Sequence, residues 1–305
     1  MKLKLLLMLS LFVSADLFAA ITKWQDVEIV NGRVIVDVAI EGVPAKALLD
    51  TGATGMSISP SFLEKNGIPF IKGREYISVG AHGRSKSYMI REVDVTIFGS
   101  QFPLKNVRAF TSSRKYQMLI GLPFLKMMVV QIDYPNKRVR FLSRDSIDLK
   151  SHANVDIKHG NKESKLVTSV ELEGGEKVDL LFDTGSTAGL VIDNHIAQKR
   201  GWLERYRVGE GSLSGVANRL TVYRLRLPYL KIGPYELENV KALSPKEENM
   251  PTNYSQKKDR GKAGSRISEG AGYIGILGGD VLKHFVVTLD AKNALMHIDA
   301  PKQDQ

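Results

Sequence analysis

The chain has 305 residues, 43% of them hydrophobic and 25% charged, with no cysteine and a formal net charge of +10. That length and apolar content support one large domain or two halves of about 130–150 residues, each with its own core, and argue against wholesale disorder. The absence of cysteine excludes disulfides, thiolate metal sites and a lipid-modified cysteine, so the fold must rest on its core.

Residues 1–20 read as a leader. Lys2 and Lys4 form a basic start, Leu5 to Val13 an apolar core of nine residues, and Ala19-Ala20 a small-residue cleavage region, with Leu17 an imperfect match to the small-x-small rule. Nine residues are too few to span a bilayer, and no later run approaches the roughly 20 that a span needs. The expectation is an exported protein, periplasmic or secreted, without an integral membrane segment after signal removal; an uncleaved N-terminal anchor is the alternative. Two cations and Asp16 leave with the leader, so the mature charge becomes +9. The basic residues are scattered, which suits a solvated surface. Their densest run, Lys257-Lys258-Asp259-Arg260-Gly261-Lys262, lacks interleaved aromatics, so no nucleic-acid partner is expected.

After the leader the chain repeats itself. VDVAIEGVPAKALLDTGAT at 36–54 matches SVELEGGEKVDLLFDTGST at 169–187, with one residue added in the second copy. Alternation, a glycine-centred turn and then an apolar run predict a β-hairpin that feeds a buried strand. A short helix follows each, SPSFLEKNG closed by Gly67 and DNHIAQKRG closed by Gly201. Turn-rich tips come next at 78–88 and 212–223, then LKNVRAF (104–110) and LENVKAL (237–243), where Asn106 and Asn239 restore the offset of 133. Finally 120–142 matches 277–299, pairing Gly121 with Gly278, Asp133 with Asp290 and Asn136 with Asn293. The offset has grown to 157 because the second copy carries a polar Gly/Ser/Lys-rich insertion at 244–272, expected to be a mobile loop. The reading is therefore 1–20 leader, 21–150 first half and 151–305 second half, two β-rich domains about a pseudo-twofold axis.

Two equivalent acids, Asp50 and Asp183, would meet on that axis if the DTG turns lie at the interface. Carboxylates held so close cannot both ionise. The ionised member takes a proton from a water while the protonated one donates to the carbonyl under attack, which cleaves an amide without a covalent adduct. Gly52 and Gly185 permit a tight turn beside each carboxylate. Thr51 and Thr184 are placed to hydrogen-bond across the interface, and Leu48, Leu49, Leu181 and Phe182 to anchor the turns. Asp133 and Asp290, in IDYPNK and LDAKN, read instead as turn-capping acids. The histidines at 82, 152, 159, 195, 284 and 297 show no metal-ligand spacing, and no metal or cofactor is expected. Trp24 and Trp202 read as packing residues.

With both motifs in view, the chain resembles the retropepsin/pepsin superfamily of aspartic peptidases. Each catalytic motif of that family is Asp-Thr/Ser-Gly and a small residue, met here by Asp50-Thr51-Gly52-Ala53 and Asp183-Thr184-Gly185-Ser186, and each half carries a later apolar-apolar-Gly segment, met by Leu119-Ile120-Gly121 and Ile276-Leu277-Gly278. The resemblance implies a mainly β fold of two acid-protease β-barrels with the active site between them. It also implies an aspartic endopeptidase acting on peptides or proteins, and a β-hairpin flap for which Gly80, Gly83 and Gly215 mark the candidates. With both hairpins kept and no disulfides, the chain is more similar to a fused retropepsin dimer than to pepsin, so a monomer with an internal pseudo-dimer is expected. A non-catalytic peptide-binding module on this fold and a cell-envelope interaction protein remain alternatives.

Overall fold

In the computed structural model, residues 21–80, 83–111, 115–160, 165–214, 219–246 and 272–301 are described. The architecture is mainly β, built as two eight-stranded sheets of the same strand order and one five-stranded sheet between them. In the first half the order runs Glu28–Val30, Arg33–Ile40, Val43–Asp50, Met118–Gly121, Ser57–Ile58, Ser100–Ala109, Gly83–Ile97, Lys72–Gly80. The second half repeats it with Ile157–His159, Leu166–Leu172, Glu176–Phe182, Gly275–Leu277, Leu190–Ile192, Tyr235–Pro245, Arg219–Ile232 and Arg207–Ser214. An added pairing in each half, Val38↔Ile97 and Leu172↔Leu230 among its registers, folds the sheet back onto itself as a barrel.

Local sequence explains the opening hairpins. Val34, Ile35, Val36, Val38 and Ile40 are all buried, and Glu41-Gly42 take positive φ of 48° and 76°, as a two-residue hairpin turn requires. In the second copy Leu172 pairs with Glu176, so the turn holds three residues, with Gly174 and Gly175 at positive φ. This is the extra residue expected from the repeat. Asn106 and Asn239, the pair that restores the offset, share φ of 54° and 53°.

The five-stranded sheet ties the halves together. Val129–Asp133 pairs antiparallel with Val286–Asp290, and Gln131 faces Thr288 with a 2.9 Å hydrogen bond from Nε2 to Oγ1. Those two residues are partners under the 157-residue offset, so the pseudo-twofold axis passes between them. The acids at the ends of these strands cap their turns, as expected, and do more. Asp133 accepts from the backbone N–H of Asn136 and from Arg138 Nε at 2.8 Å, while Asp290 accepts from Lys292 and Asn293 N–H and from Arg144 Nε at 3.1 Å.

The short helices appear at Pro60–Lys65 and Asn194–Lys199. Asp193 caps the second through His195 and Ile196 N–H, and Gly67 and Gly201 follow with φ of 67° and 64°. Trp202 is buried core, and Trp24 lies between the guanidinium groups of Arg138 and Arg140. The insertion begins later than expected. Ser244 and Pro245 belong to the strand Tyr235–Pro245, and Ser244 is fully buried where an exposed loop was expected, because Val222↔Pro245 pairing extends that strand. The rest of the insertion, 247–271, lies outside the described residues, as does the leader. Among the described residues no helix is long and apolar enough to cross a membrane.

Candidate active site

Asp50 is the last residue of Val43–Asp50, a strand whose Ala47, Leu48 and Leu49 are buried and which pairs in parallel with Met118–Gly121, Asp50 opposite Gly121. Asp183 directly follows Glu176–Phe182, and its N–H donates to Leu277 O at 2.9 Å. Each acid is thus carried to a turn by a core strand that cannot shift without exposing apolar surface.

The turns interlock across the axis. Thr51 N–H donates to Thr184 Oγ1 at 3.1 Å and Thr184 N–H to Thr51 Oγ1 at 3.0 Å. Each hydroxyl in turn donates to a carbonyl of the other half, Thr51 to Phe182 O and Thr184 to Leu49 O, both at 2.8 Å. Both threonines are buried, so all four bonds are shielded from water. The glycines are required by proximity. A Cβ on Gly52 would lie 2.6 Å from Asp183 Cγ, and one on Gly185 2.5 Å from Asp50 Cγ, so each glycine clears space for the opposite acid. Gly121 and Gly278 are equally constrained, with a Cβ falling 2.3 Å from Gly55 O and 2.6 Å from Ala188 O respectively.

The structure therefore brings together Asp50, Thr51, Gly52 and Ala53 with Asp183, Thr184, Gly185 and Ser186. The two carboxyls lie on either side of the axis, each packed against the glycine of the opposite motif. Burial, and then the charge of Asp183, push Asp50 up to about 7, against the pull of Lys165 and of the Ala53 N–H, which donates to Oδ1 at 3.0 Å. Burial likewise raises Asp183, opposed by Lys165 and by the Gly185 and Ser186 N–H groups. Burial of both acids and the charge each would present to the other oppose ionisation of the two at once, which favours retention of one proton by the pair. Tyr134 and Tyr273 feel that charge as well: burial and then Asp183 hold both phenols above their ordinary value.

Each half carries a long hairpin. Lys72–Gly80 and Gly83–Ile97 pair as far as Gly80↔Gly83, and Arg207–Ser214 with Arg219–Ile232 as far as Ser214↔Arg219. Gly215 lies outside the described residues. Tyr76 on the first hairpin donates from its OH to Ala109 O at 3.2 Å.

Two cations at the site escaped the sequence reading. Lys165 Nζ donates to Gly52 O, in the loop that holds Asp50. Burial pushes its ammonium below the ordinary lysine value while both carboxylates pull it back up. Arg108 Nη1 donates to Thr54 Oγ1 at 2.8 Å. A signal for Lys165 existed: Ile35 pairs with Leu48 and Val167 with Leu181, so once the extra turn residue is counted, Lys165 occupies the place of Arg33. Among the described residues no group of three or more His, Asp or Glu is placed to hold a metal ion.

The arrangement agrees with comparisons to known proteins. The crystal structure of aspartic proteinase from Irpex lacteus superposes with a TM-score of 0.52 and 13% identity, covering 93% of this chain and 98% of that one, which shows a common fold. No curated protein sequence matches. The family model for aspartyl protease matches residues 36–124 and again 168–281, one copy around each acid, and the chain belongs to the aspartyl protease family.

Proposed function

We propose that the protein is an aspartic endopeptidase that hydrolyses peptide bonds through a water activated between Asp50 and Asp183. The observation that carries this reading is the meeting of the two Asp-Thr-Gly turns across the axis, where Thr51 and Thr184 exchange hydrogen bonds and Gly52 and Gly185 each clear space for the opposite carboxyl. Asp183, ionised, accepts a proton from the water as its oxygen attacks the scissile carbonyl, and Asp50 donates its proton to the carbonyl oxygen. The resulting gem-diol collapses when Asp183 passes its proton to the departing nitrogen and Asp50 recovers one from a diol hydroxyl. The pair then regains its starting charge, and no covalent enzyme intermediate forms. Interlocked Thr51 and Thr184 keep the two carboxyls in register through the cycle, which limits reorganisation in the transition state. The two hairpins serve as flaps over an extended substrate, with Gly80 and Gly83 closing the first. The chain acts as an internal pseudo-dimer and works outside the cytoplasm, in keeping with its leader-like first 20 residues.

The test is a digest of a diverse peptide library, read by mass spectrometry, with wild type and Asp183→Asn in parallel. New termini generated by the wild type and absent from the variant support the reading. Cleavage that survives Asp183→Asn assigns the chemistry elsewhere. Capture of peptides with no cleavage between pH 3 and 9 assigns a binding module.

A further inference from the structure

Arg108 is a charged residue that the hydrolytic cycle does not use. It leaves the strand Ser100–Ala109 between two elements of the site: its Nη1 donates to Thr54 Oγ1, four residues past Asp50, and its guanidinium carbon lies 5.8 Å from the ring of Tyr76 on the first hairpin. The repeat shows what is unusual about it. Its partner under the 133-residue offset is Lys241, whose Nζ lies 3.4 Å from Asp280. The position matching Asp280 under the 157-residue offset is Pro123. The first half has therefore kept the cation and lacks the acid. Among the described residues Arg108 forms no ion pair, and it is partly exposed.

Charge counting leads to the same place. Arg108 and Lys165 both border the Asp50 loop, the charge of Arg108 reaches Lys165, and among the described residues Lys165 forms no direct ion pair either. Among the described residues the acids that act on Lys165 are Asp50 and Asp183, a pair that carries a single negative charge while it holds one proton. Two cations thus border a pair of single charge. The Arg108 guanidinium keeps donors beyond the one given to Thr54, and a guanidinium is matched best by a carboxylate, which it grips through two parallel N–H donors.

Resting on the peptidase reading, we propose that the ground between the Asp50 loop and the first hairpin is a subsite for an acidic side chain of the substrate. Arg108 grips the carboxylate, and Lys165 adds to the attracting field. Peptides with Glu or Asp at one fixed position within a few residues of the cut are cleaved in preference to their Gln or Asn counterparts. Charge-assisted hydrogen bonds in a partly exposed subsite give a ratio of about tenfold in kcat/KM.

The experiment is the library digest with cleavage positions aligned, followed by matched Glu and Gln peptides assayed with wild type, Arg108→Gln and Arg108→Glu. Acidic enrichment at one position, a Glu-to-Gln ratio that drops to within about twofold in Arg108→Gln, and a preference for Lys in Arg108→Glu are expected. Cleavage by the wild type with no acidic position, or a ratio unchanged by either substitution, overturns the subsite and leaves the peptidase reading standing. Should a variant fail to fold, the wild type alone decides: the Glu-to-Gln ratio must fall as salt rises from about 10 mM to 500 mM, and a constant ratio overturns the proposal. If the wild type cuts nothing, the peptidase reading fails by itself, and the library is presented for capture; enrichment of acidic peptides supports the subsite and unselective capture overturns it.

Discussion

Replacing Lys165 by Met removes a positive charge from beside the dyad and leaves a chain of similar bulk. Lys165 lies within hydrogen-bond reach of Gly52 O but forms no direct ion pair with either acid. In general a unit charge about 5 Å from a carboxylate at an effective dielectric of ~20 is worth roughly 3 kcal/mol, or ~2 pH units, and partial contact with solvent reduces this to about one. The sign follows from the direction of the pull: Lys165 lowers both Asp50 and Asp183, so its loss raises both. The state that works holds one proton, bounded by loss of the first proton on the acid side and of the second on the alkaline side. Both limbs of the kcat/KM profile therefore move to higher pH by about one unit in Lys165→Met, while Lys165→Arg, which keeps the charge, stays close to the wild type. The assay uses a blocked peptide without ionisable side chains over pH 3–9. Among the described residues Asp50, Asp183, Arg108, Tyr134 and Tyr273 are the charged or titratable groups that share this setting, and none is altered. A Lys165→Met profile that is merely lower, with unshifted limbs, or that moves to lower pH, refutes the electrostatic role.

Other outcomes follow from the same geometry. Asp50 is raised from 3.8 to about 7, so the folded state retains a proton that the unfolded chain releases, and stability falls as pH rises through that window. Asp50→Asn abolishes the loss and raises stability above pH 7 by about 2–4 kcal/mol, read from urea midpoints at pH 5 and pH 8. Thr184→Ala leaves Leu49 O and Thr51 N–H without their cross-axis partners and destabilises by about 2–5 kcal/mol, whereas Thr184→Ser, which keeps the hydroxyl, loses far less; thermal unfolding compares them. Gly185→Ala puts a methyl 2.5 Å from Asp50 Cγ, so peptide cleavage falls by at least about 100-fold even in a soluble, folded variant.

Much of the centre was legible because the chemistry is local and occurs twice. An acid at the end of an apolar strand, as in Leu49-Asp50 and Phe182-Asp183, conflicts with burial unless something meets it, and the second copy says what. The crossing of Thr51 and Thr184, the hairpins, and the turn acids Asp133 and Asp290 could be read for the same reason. Contributions that depend on distant pairing were not visible. Lys165 looks like one more surface lysine until the added turn residue sets its register and brings it to Gly52 O. Arg108 is one of many scattered cations until Thr54 and Tyr76 are seen on either side. The sheet that joins Val129–Asp133 to Val286–Asp290 also went unread, since hydrophobic runs do not declare their partner strand. Ser244 reads as loop because its neighbours are polar, yet pairing with Tyr223 carries it into the sheet, where it is buried.

The claim at the centre is that Asp50 and Asp183 form one chemical unit, each inactive without the other. Single-turnover cleavage of one defined peptide by Asp50→Asn, Asp183→Asn and the double variant tests it most directly. Residues that act as a unit are non-additive, so each single substitution costs at least about 1,000-fold and the double variant is no slower than the worse single. A single variant that keeps activity within about tenfold of the wild type, or a double variant whose loss is the product of the two singles, contradicts the account.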